Sequence, residues 1–515
     1  MSKRFSAFFH KLPGMIPWLG GLFFVYILCL LVLGEGAFSF AFNNQAIASN
    51  RVLFPIALAL IALCLLCARL LGRRGSGKKA IHPVMALAAA HILLFLLQWI
   101  MVRSLWFYPA WDPLEVRLAA EEIARGVPFT RGEYYAFIPH NAALALIMSI
   151  PYQIGLVLGM AEPYIMLPIF GAAGINLSCF FATLSLGRLT GSRRAALFGF
   201  GLSTVFVLLS PYVSIAYSDS YAVLFPVLTL FLCLTRLRPA LKWFLMTLVS
   251  AVGAVMKPTV LIFWIALVLC EGLRLCARLP WKGKDFKRMA AIGAVILLGF
   301  LPNLLLQNTA KTMLSGSPNP EGQLPLTHYL MMGFNPDTYG GNSPEDETFS
   351  RSFETLEERK KANVDKTWER LTAMSLPKAA QFFSVKMYKS YNSGTFAWNG
   401  SFLPMETPRR SDGLSVFLRS IYYNNGEYNS LFIGIYHTLW LGILTLCAFA
   451  FLGAGKSQPQ LPVLALTLLG LSGYLMLFEC WPRYLFLYAP FFVIVAGIGF
   501  WNLAKRFAPE KPKVR

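Results

Sequence analysis

The chain has 515 residues, of which 56% are hydrophobic and 14% are charged, and its formal net charge is +21. A soluble core does not need so large an apolar share, so the composition excludes an ordinary soluble protein. The positive charge would suit a nucleic-acid partner, but the Lys and Arg residues lie between apolar runs, which argues against that class.

Apolar runs of about 15 to 23 residues recur along the chain, separated by charged or Pro/Gly-rich segments. A helix that rises about 1.5 Å per residue crosses about 30 Å of hydrocarbon with a run of this length. We therefore predict an all-α polytopic membrane protein with about twelve transmembrane helices. The candidate spans are 15–34, 52–72, 83–102, 141–159, 164–186, 194–211, 220–236, 242–256, 258–275, 288–306, 429–453, 460–478 and 484–502.

The basic ends of the chain predict its topology. The positive-inside rule places both ends in the cytoplasm, which requires an even number of crossings, so one of the thirteen runs is not a true span. We predict that 141–159, which contains Pro151 and Gly155, is re-entrant or does not cross independently. Short loops and the lack of a disulfide framework favour a bacterial plasma membrane.

Two polar stretches divide the chain into regions. The first, 103–140, is predicted to be a catalytic loop on the outer face, within an N-terminal transmembrane module over 1–306. The second, 307–428, combines a Gly/Pro/Asn-rich segment with helical patterns over 353–374 and 377–388, and it predicts an α-helical or irregular soluble domain on the same face. The remainder, 429–515, contains further spans and a basic cytoplasmic tail.

Charged residues at or near membrane depth mark a candidate site, because charge is costly there. The predicted topology places them together on the outer face. A carboxylate that accepts a proton from a hydroxyl, beside cations that hold a phosphate, can move a group from a lipid phosphate to an alcohol. The residues concerned are Asp112, Glu115, Asp219, Lys257, Glu479 and Arg483.

A purely structural role is also open to each of these residues. Asp112 can be the N-cap of a helix predicted over 113–125, with Glu115 completing a capping box. Asp219 can be an ordinary turn residue, and Lys257 can be a snorkelling side chain at a loop tip. Glu479 and Arg483 can form a structural i,i+4 ion pair.

The same motifs resemble the GT-C superfamily of membrane glycosyltransferases, which use polyprenyl- or dolichyl-phosphate sugars. An acid in the first large outer loop, followed by an amphipathic helix and an aromatic segment, corresponds to Trp111-Asp112-Pro113-Leu114-Glu115 and Glu133–Asn141. A later outer-turn acid corresponds to Asp219. Lys257-Pro258-Thr259 is similar to a basic-Pro turn of bacterial members, and Glu479-x-x-x-Arg483-Tyr484 to a recurring Glu/Arg-Tyr signature.

The resemblance implies roles for these positions. Asp112 or Glu115 is expected to be the general base that deprotonates the acceptor hydroxyl, while the lipid phosphate leaves. Substrate and phosphate binding is expected of Asp219, Lys257, Glu479, Arg483, Tyr484 and Arg103. Acceptor or sugar contacts are expected of Tyr135, His140, Asn141 and Trp398, although Trp398 can also serve packing alone. A divalent metal is not favoured, because the sequence has no tight acidic cluster.

The predicted function is transfer of a sugar from a polyprenyl-phosphate donor in the bilayer to an envelope glycan, lipid or protein. Three competing functions are a flippase or transporter of lipid-linked saccharides, an undecaprenyl-diphosphate-dependent polymerase or ligase, and a scaffold that presents 307–428. A transporter needs charged residues along a path through the spans, whereas here they gather at one face. A polymerase or ligase needs a larger basic cluster.

Overall fold

A computed structural model describes residues 2–38, 48–71, 83–278, 281, 283–314, 320–398, 410–454 and 458–507. Every regular element in these ranges is helical, which confirms the predicted all-α polytopic membrane fold. The α-helices are α1 (Ser2–Leu33), α2 (Glu35–Phe38), α3 (Asn50–Leu71), α4 (Pro83–Leu105), α5 (Trp111–Arg125), α6 (Gly132–Phe137), α7 (Ala142–Val157), α8 (Met166–Thr190), α9 (Arg193–Ser203), α10 (Ser218–Ala222), α11 (Leu224–Cys233), α12 (Pro239–Met256), α13 (Leu261–Cys276), α14 (Gly283–Leu314), α15 (Leu326–Gly333), α16 (Pro344–Arg351), α17 (Leu356–Thr372), α18 (Leu376–Tyr391), α19 (Gly413–Tyr422), α20 (Asn429–Leu452), α21 (Leu461–Leu477) and α22 (Ala489–Phe507).

Ten helical segments of the described ranges are long and apolar enough to cross a membrane. Two more apolar helices, Ser218–Cys233 and Leu461–Leu477, are shorter. Burial separates the centre of the bundle from its rim: 94% of the apolar window in Pro482–Phe507 is buried, against 6% in Gly283–Met313. The last helix therefore forms the core around which the others pack.

The segment 141–159, predicted to be re-entrant or not to cross independently, is helical throughout Pro139–Val157, with Pro151 inside the helix. Whether it crosses the bilayer stays a prediction. The regular α-helical geometry is interrupted in another candidate, 194–211, where α9 ends and a π-helical turn follows over Thr204–Leu208. A π turn leaves backbone carbonyls without their helical partners, so other groups must bond them.

Side chains from neighbouring helices bond those carbonyls. Tyr436 of α20 donates from its hydroxyl to the Val205 carbonyl at 2.7 Å. Gln98 of α4 donates from Nε2 to the Leu208 carbonyl at 3.0 Å, and its own Oε1 accepts from Asn176 of α8 at 3.0 Å. Polar side chains thus join the helices inside the bundle, where water is not available.

The polar domain (320–398) contains α15 to α18. The helical patterns predicted over 353–374 and 377–388 correspond to α17 and α18. A capping box of Thr355 and Glu358 begins α17, which explains the sharp start of this charged helix. Arg370 of α17 forms a bidentate ion pair with the buried Asp346 of α16, with N–O distances of 2.6 and 3.0 Å. This geometry fixes the two helices relative to each other.

Candidate functional site

Asp112 lies in the first turn of α5 and is not the N-cap that we predicted. The helix begins at Trp111, two residues before the predicted start at 113, and Ala110 is the N-cap without a side-chain hydrogen bond. The Asp112 carboxylate instead accepts a hydrogen bond at 2.9 Å from the hydroxyl of Tyr134. Trp111, directly before it, has a φ of 58° and is 75% exposed. Backbone strain of this kind at a bulky residue concentrates at functional sites.

Glu115 has a different environment. Its carboxylate pairs with the Arg131 guanidinium at 3.5 Å, so the predicted capping box does not form. Its backbone carbonyl lies 3.5 Å from the hydroxyl of Tyr135, whose ring is buried against Tyr134. Tyr135 therefore supports the loop. Of the two acids that we predicted as bases, Asp112 is the one that faces the polar network described next.

A chain of hydrogen bonds leads from Asp112 to another part of the sequence. Asn141 donates from Nδ2 to the Tyr134 hydroxyl at 2.7 Å and lies 3.5 Å from the hydroxyl of Tyr217. Burial raises the pKa of the Tyr134 and Tyr217 hydroxyls above their usual range, and the negative charge of Asp112 raises each further. Both phenols therefore remain protonated donors. We did not predict Tyr134 or Tyr217 as site residues, although Tyr134 lies inside the quoted segment Glu133–Asn141 and Tyr217 lies two residues before Asp219.

Asp219 and Lys257 form a buried ion pair. Asp219 lies in the short helix α10 and is 0% exposed, and Lys257, between α12 and the Pro258–Val260 turn, is 8% exposed. The Lys257 ammonium contacts Asp219 Oδ1 directly. Burial lowers the pKa of that ammonium, and the Asp219 carboxylate opposes the shift. Neither a solvated turn nor snorkelling describes this pair.

Two buried oxygens, one in this pair and one on Thr259, two residues after Lys257, lack hydrogen-bond partners. Asp219 Oδ2 and the Thr259 hydroxyl are buried, and neither is bonded to any group in the described part of the chain. Buried polar atoms in native proteins are nearly always paired with protein groups, water or a ligand. The orphaned oxygens therefore point to a polar occupant beside Lys257.

Glu479, Arg483 and Tyr484 meet in an extended segment and a short 3-10 turn, not in the regular helix that their i,i+4 spacing suggested. The Tyr484 hydroxyl donates to Glu479 at 2.5 Å and accepts from Arg483 at 3.3 Å. The Lys257 ammonium lies 5.0 Å from the centre of the Tyr484 ring, a cation–π distance. Tyr484 thus joins the C-terminal segment to the ion pair of Asp219.

These groups form one charged cluster (Asp112, Asp219, Lys257, Glu479 and Arg483). Arg483 lies within electrostatic range of Asp219 and Glu479, and of Tyr217. Tyr217 is in turn within range of Asp112. The structure therefore brings together five of the charged residues that the sequence singled out, although they come from four separate parts of the chain.

The remaining predicted residues lie at the edge of the cluster or away from it. His140 is exposed and its ring contacts Tyr329 of α15 edge-on at 6.1 Å. Tyr329 lies within electrostatic range of Asp112 and Glu479, so the polar domain also borders the cluster. Arg103 is exposed at the end of α4 and is not part of the buried cluster.

Trp398 belongs to the core. Its indole is fully buried, donates from Nε1 to the Tyr422 carbonyl at 2.9 Å, and packs edge-on against Phe107 at 5.8 Å. This placement favours a packing role over a sugar contact.

Comparison with known protein families places the chain in one of them. A family model described as "conserved hypothetical integral membrane protein" matches residues 19–503. The chain belongs to this family. The match includes every residue of the charged cluster and supports a multi-pass membrane protein. No curated protein and no solved structure matches the chain.

The charged cluster of this family member combines groups of different chemical capability. Asp112 is half-buried and can reach a solvent-borne hydroxyl, whereas Asp219 is enclosed and tied to Lys257. Lys257 and Arg483 supply two cations, both within electrostatic range of Asp219. Within the described ranges, no three His, Cys, Asp or Glu side chains are grouped so that they could hold a metal ion. The arrangement can bind an anion on one side and accept a proton on the other.

Proposed function

We propose that the protein is a glycosyltransferase that transfers a sugar from a polyprenyl-phosphate donor to an acceptor hydroxyl at the outer face of a bacterial plasma membrane. The observation that carries this proposal is the charged cluster itself. Charges inside a membrane protein are costly and are retained where they serve a site. Two cations beside a half-buried carboxylate suit a reaction with a phosphate leaving group and a hydroxyl nucleophile.

The donor phosphate binds at Lys257 and Arg483. The guanidinium of Arg483 can hold two phosphate oxygens, and Lys257 supplies a compact positive charge. Asp219 and Tyr484 hold these cations in place, since each contacts one of them directly. The orphaned hydroxyl of Thr259 offers a further hydrogen bond to a phosphate oxygen.

Asp112 acts on the acceptor. It takes the proton of the acceptor hydroxyl as that oxygen bonds to the anomeric carbon of the sugar. The bond between this carbon and the phosphate oxygen breaks, and the polyprenyl phosphate leaves with the bonding electron pair. Tyr134, held by Asn141, orients the Asp112 carboxylate through the 2.9 Å hydrogen bond. A positioned general base contributes about 10²- to 10⁴-fold to such a step.

Replacement of Asp112 tests the proposal. Cells would produce Asp112→Asn, Asp112→Ala or wild-type protein at equal levels, and mass spectrometry would quantify sugars on envelope glycans, lipids and proteins. We expect transfer by both variants to fall by about 10²-fold or more. Glu133→Gln is the matched control, because Glu133 is an exposed acid of the same loop. Unchanged glycosylation in both Asp112 variants would refute the assignment.

A second experiment addresses phosphate binding. Protein in nanodiscs that contain undecaprenyl phosphate would be analysed by native mass spectrometry for the retained lipid. Lys257→Ala and Arg483→Ala should each retain it at least about tenfold less well, since each removes a phosphate contact. Lys378→Ala, which changes an exposed cation of the polar domain outside the cluster, should not. Equal retention by all variants would instead favour a non-catalytic scaffold.

A further inference from the structure

Two lysines of α18 are buried in the polar domain. Lys386 is 0% exposed and Lys389 is 7% exposed, and neither forms an ion pair within the described part of the chain. A buried ammonium must find hydrogen-bond acceptors, because its desolvation is costly. The hydrogen-bond acceptors of these two ammonium groups show which segments of the chain the two lysines connect.

The Lys386 ammonium connects the ends of two helices. It donates to the carbonyl of Gly333, the last residue of α15, at 2.5 Å. It also donates to the carbonyls of Met476 and Phe478, at the end of α21, at 2.8 and 3.0 Å. The last carbonyls of a helix have no partner within the helix, and a cation there is also favoured by the helix dipole. One side chain therefore caps both helices.

Backbone contacts fasten the same two segments. A Cβ atom at Gly333 would overlap the Leu477 carbonyl, so only glycine permits this approach. The amide of Cys480 donates to the Gly340 carbonyl at 2.8 Å. Lys389 donates to the Thr338 carbonyl at 3.0 Å, and its ammonium lies 5.1 Å from the centre of the Trp481 ring. These contacts thus attach the polar domain to the segment 476–481.

The segment 476–481 continues directly into the residues of the charged cluster. Phe478 precedes Glu479, and Trp481 lies two residues before Arg483. We propose that Lys386 is a positioning residue, which fixes the segment 479–484 and thereby aims Glu479 and Arg483. The consequence for phosphate binding rests on the proposed function, whereas the fixing of the segment does not.

The reactivity of Cys480 tests the fixing. Its side chain is 0% exposed and donates to the Tyr339 carbonyl at 3.1 Å, so it should react slowly with a polar maleimide. Purified full-length protein would be labelled at constant pH, and the labelled Cys480 peptide would be quantified by mass spectrometry. Lys386→Met removes the hydrogen-bond donor of the Gly333, Met476 and Phe478 carbonyls, and we expect Cys480 to react at least about tenfold faster. Lys378→Met, which replaces an exposed lysine of the same helix, should match wild type.

Two further measurements distinguish a local effect on the segment 476–481 from a general destabilisation of the protein. Cys447, buried in α20, should stay unreactive in Lys386→Met if only the segment 476–481 is released. The same variant should retain undecaprenyl phosphate less well, although Lys386 does not belong to the charged cluster. Labelling of Cys480 at the wild-type rate would overturn the proposal, as would equal acceleration at Cys447.

Wild-type protein provides a measurement that does not depend on the stability of a variant. Hydrogen exchange should show a protected Cys480 amide because of its bond to Gly340. Exchange at the rate of an unstructured amide would overturn the proposal. If Cys480 labelling rises in Lys386→Met but Asp112→Asn leaves glycosylation unchanged, the positioning role stands and the proposed enzymatic function fails.

Discussion

At the scale of single residues, the buried Asp219–Lys257 pair is the part of the cluster whose cost in stability is clearest. Both groups are withdrawn from water, yet Asp219 Oδ2 remains unbonded. A buried ion pair is a weak source of stability, since the desolvation of two charges offsets much of their attraction. The pair therefore costs stability that an apolar pair would not, and its position beside Arg483 and Tyr484 supplies a reason to keep it.

Replacement of one residue of the Asp219–Lys257 pair should destabilise the protein more than replacement of both. Asp219→Asn leaves an unpaired ammonium and Lys257→Met an unpaired carboxylate, and each should lower the free energy of unfolding by about 3–5 kcal/mol. The double variant should lose less than either single variant, because no buried charge remains. Denaturation in detergent micelles measures this, with the exposed Asp365→Asn as a neutral control. Losses that simply add in the double variant would contradict the coupling.

At the scale of elements, the polar domain is held by buried polar networks. The Ser350 hydroxyl donates to Asn363 of α17 at 2.9 Å, so its oxygen accepts from Nδ1 of His328 in α15 at 2.8 Å. This pattern requires a proton on Nδ1 of the imidazole. Burial lowers the pKa of His328 from 6.5 to about 4, against the opposing effect of Asp346. The neutral imidazole is therefore part of the folded domain.

The polar domain should lose stability in acid. The folded-state pKa of His328 lies below the unfolded value, so its contribution is fully present above pH 6.5 and disappears as pH falls through about 4. A difference of about 2.5 units corresponds to about 3 kcal/mol. Hydrogen exchange of α15 to α17 at pH 6.5 and pH 4 measures the change. His328→Gln should show a shallower pH dependence than wild type, and identical slopes would refute the role of His328.

The positions of the helices could be predicted from the sequence, but several of their end residues and most of the contacts between them could not. Apolar runs determine where a chain can cross a bilayer, and α17 and α18 follow from local patterns. The N-cap rule failed at Asp112 because Trp111 takes a left-handed conformation and Tyr134 reaches the carboxylate from 22 residues away. No local pattern contains that contact.

Long-range contacts also explain what was missed in the site. Asp219 and Lys257 are 38 residues apart, and Tyr217 approaches Asn141 across 76 residues. The charged residues of the cluster could be recognised as candidate site residues from the sequence, because charge is rare at membrane depth whatever its partners are. Lys386 could not be recognised in this way, because a lysine in an amphipathic helix usually faces solvent and only the tertiary structure buries it.

At the scale of the whole molecule, the loop 103–140 and the polar domain occupy the same end of the bundle. The amide of Leu324 donates to the Phe137 carbonyl at 3.0 Å, and Arg351 lies 3.7 Å from the centre of the Phe137 ring. Tyr164, near the start of α8, donates to the Phe107 carbonyl at 2.9 Å, so α8 begins at this end. Its 25 residues extend about 37 Å, which carries the chain to the opposite end at Arg193.

This geometry makes the orientation of the protein testable with three single cysteines in a background without the native ones. Glu133→Cys in the loop 103–140 and Trp368→Cys in the polar domain are exposed at one end, and Arg193→Cys is exposed at the other. In intact cells, an impermeant maleimide should label the first two and should reach the third only after permeabilisation, because the basic residues around Arg193 stay in the cytoplasm. Labelling of Arg193→Cys alone would place the charged cluster at the cytoplasmic face. An acceptor in the cell envelope would then be out of reach of Asp112, and the proposed reaction would have to be abandoned.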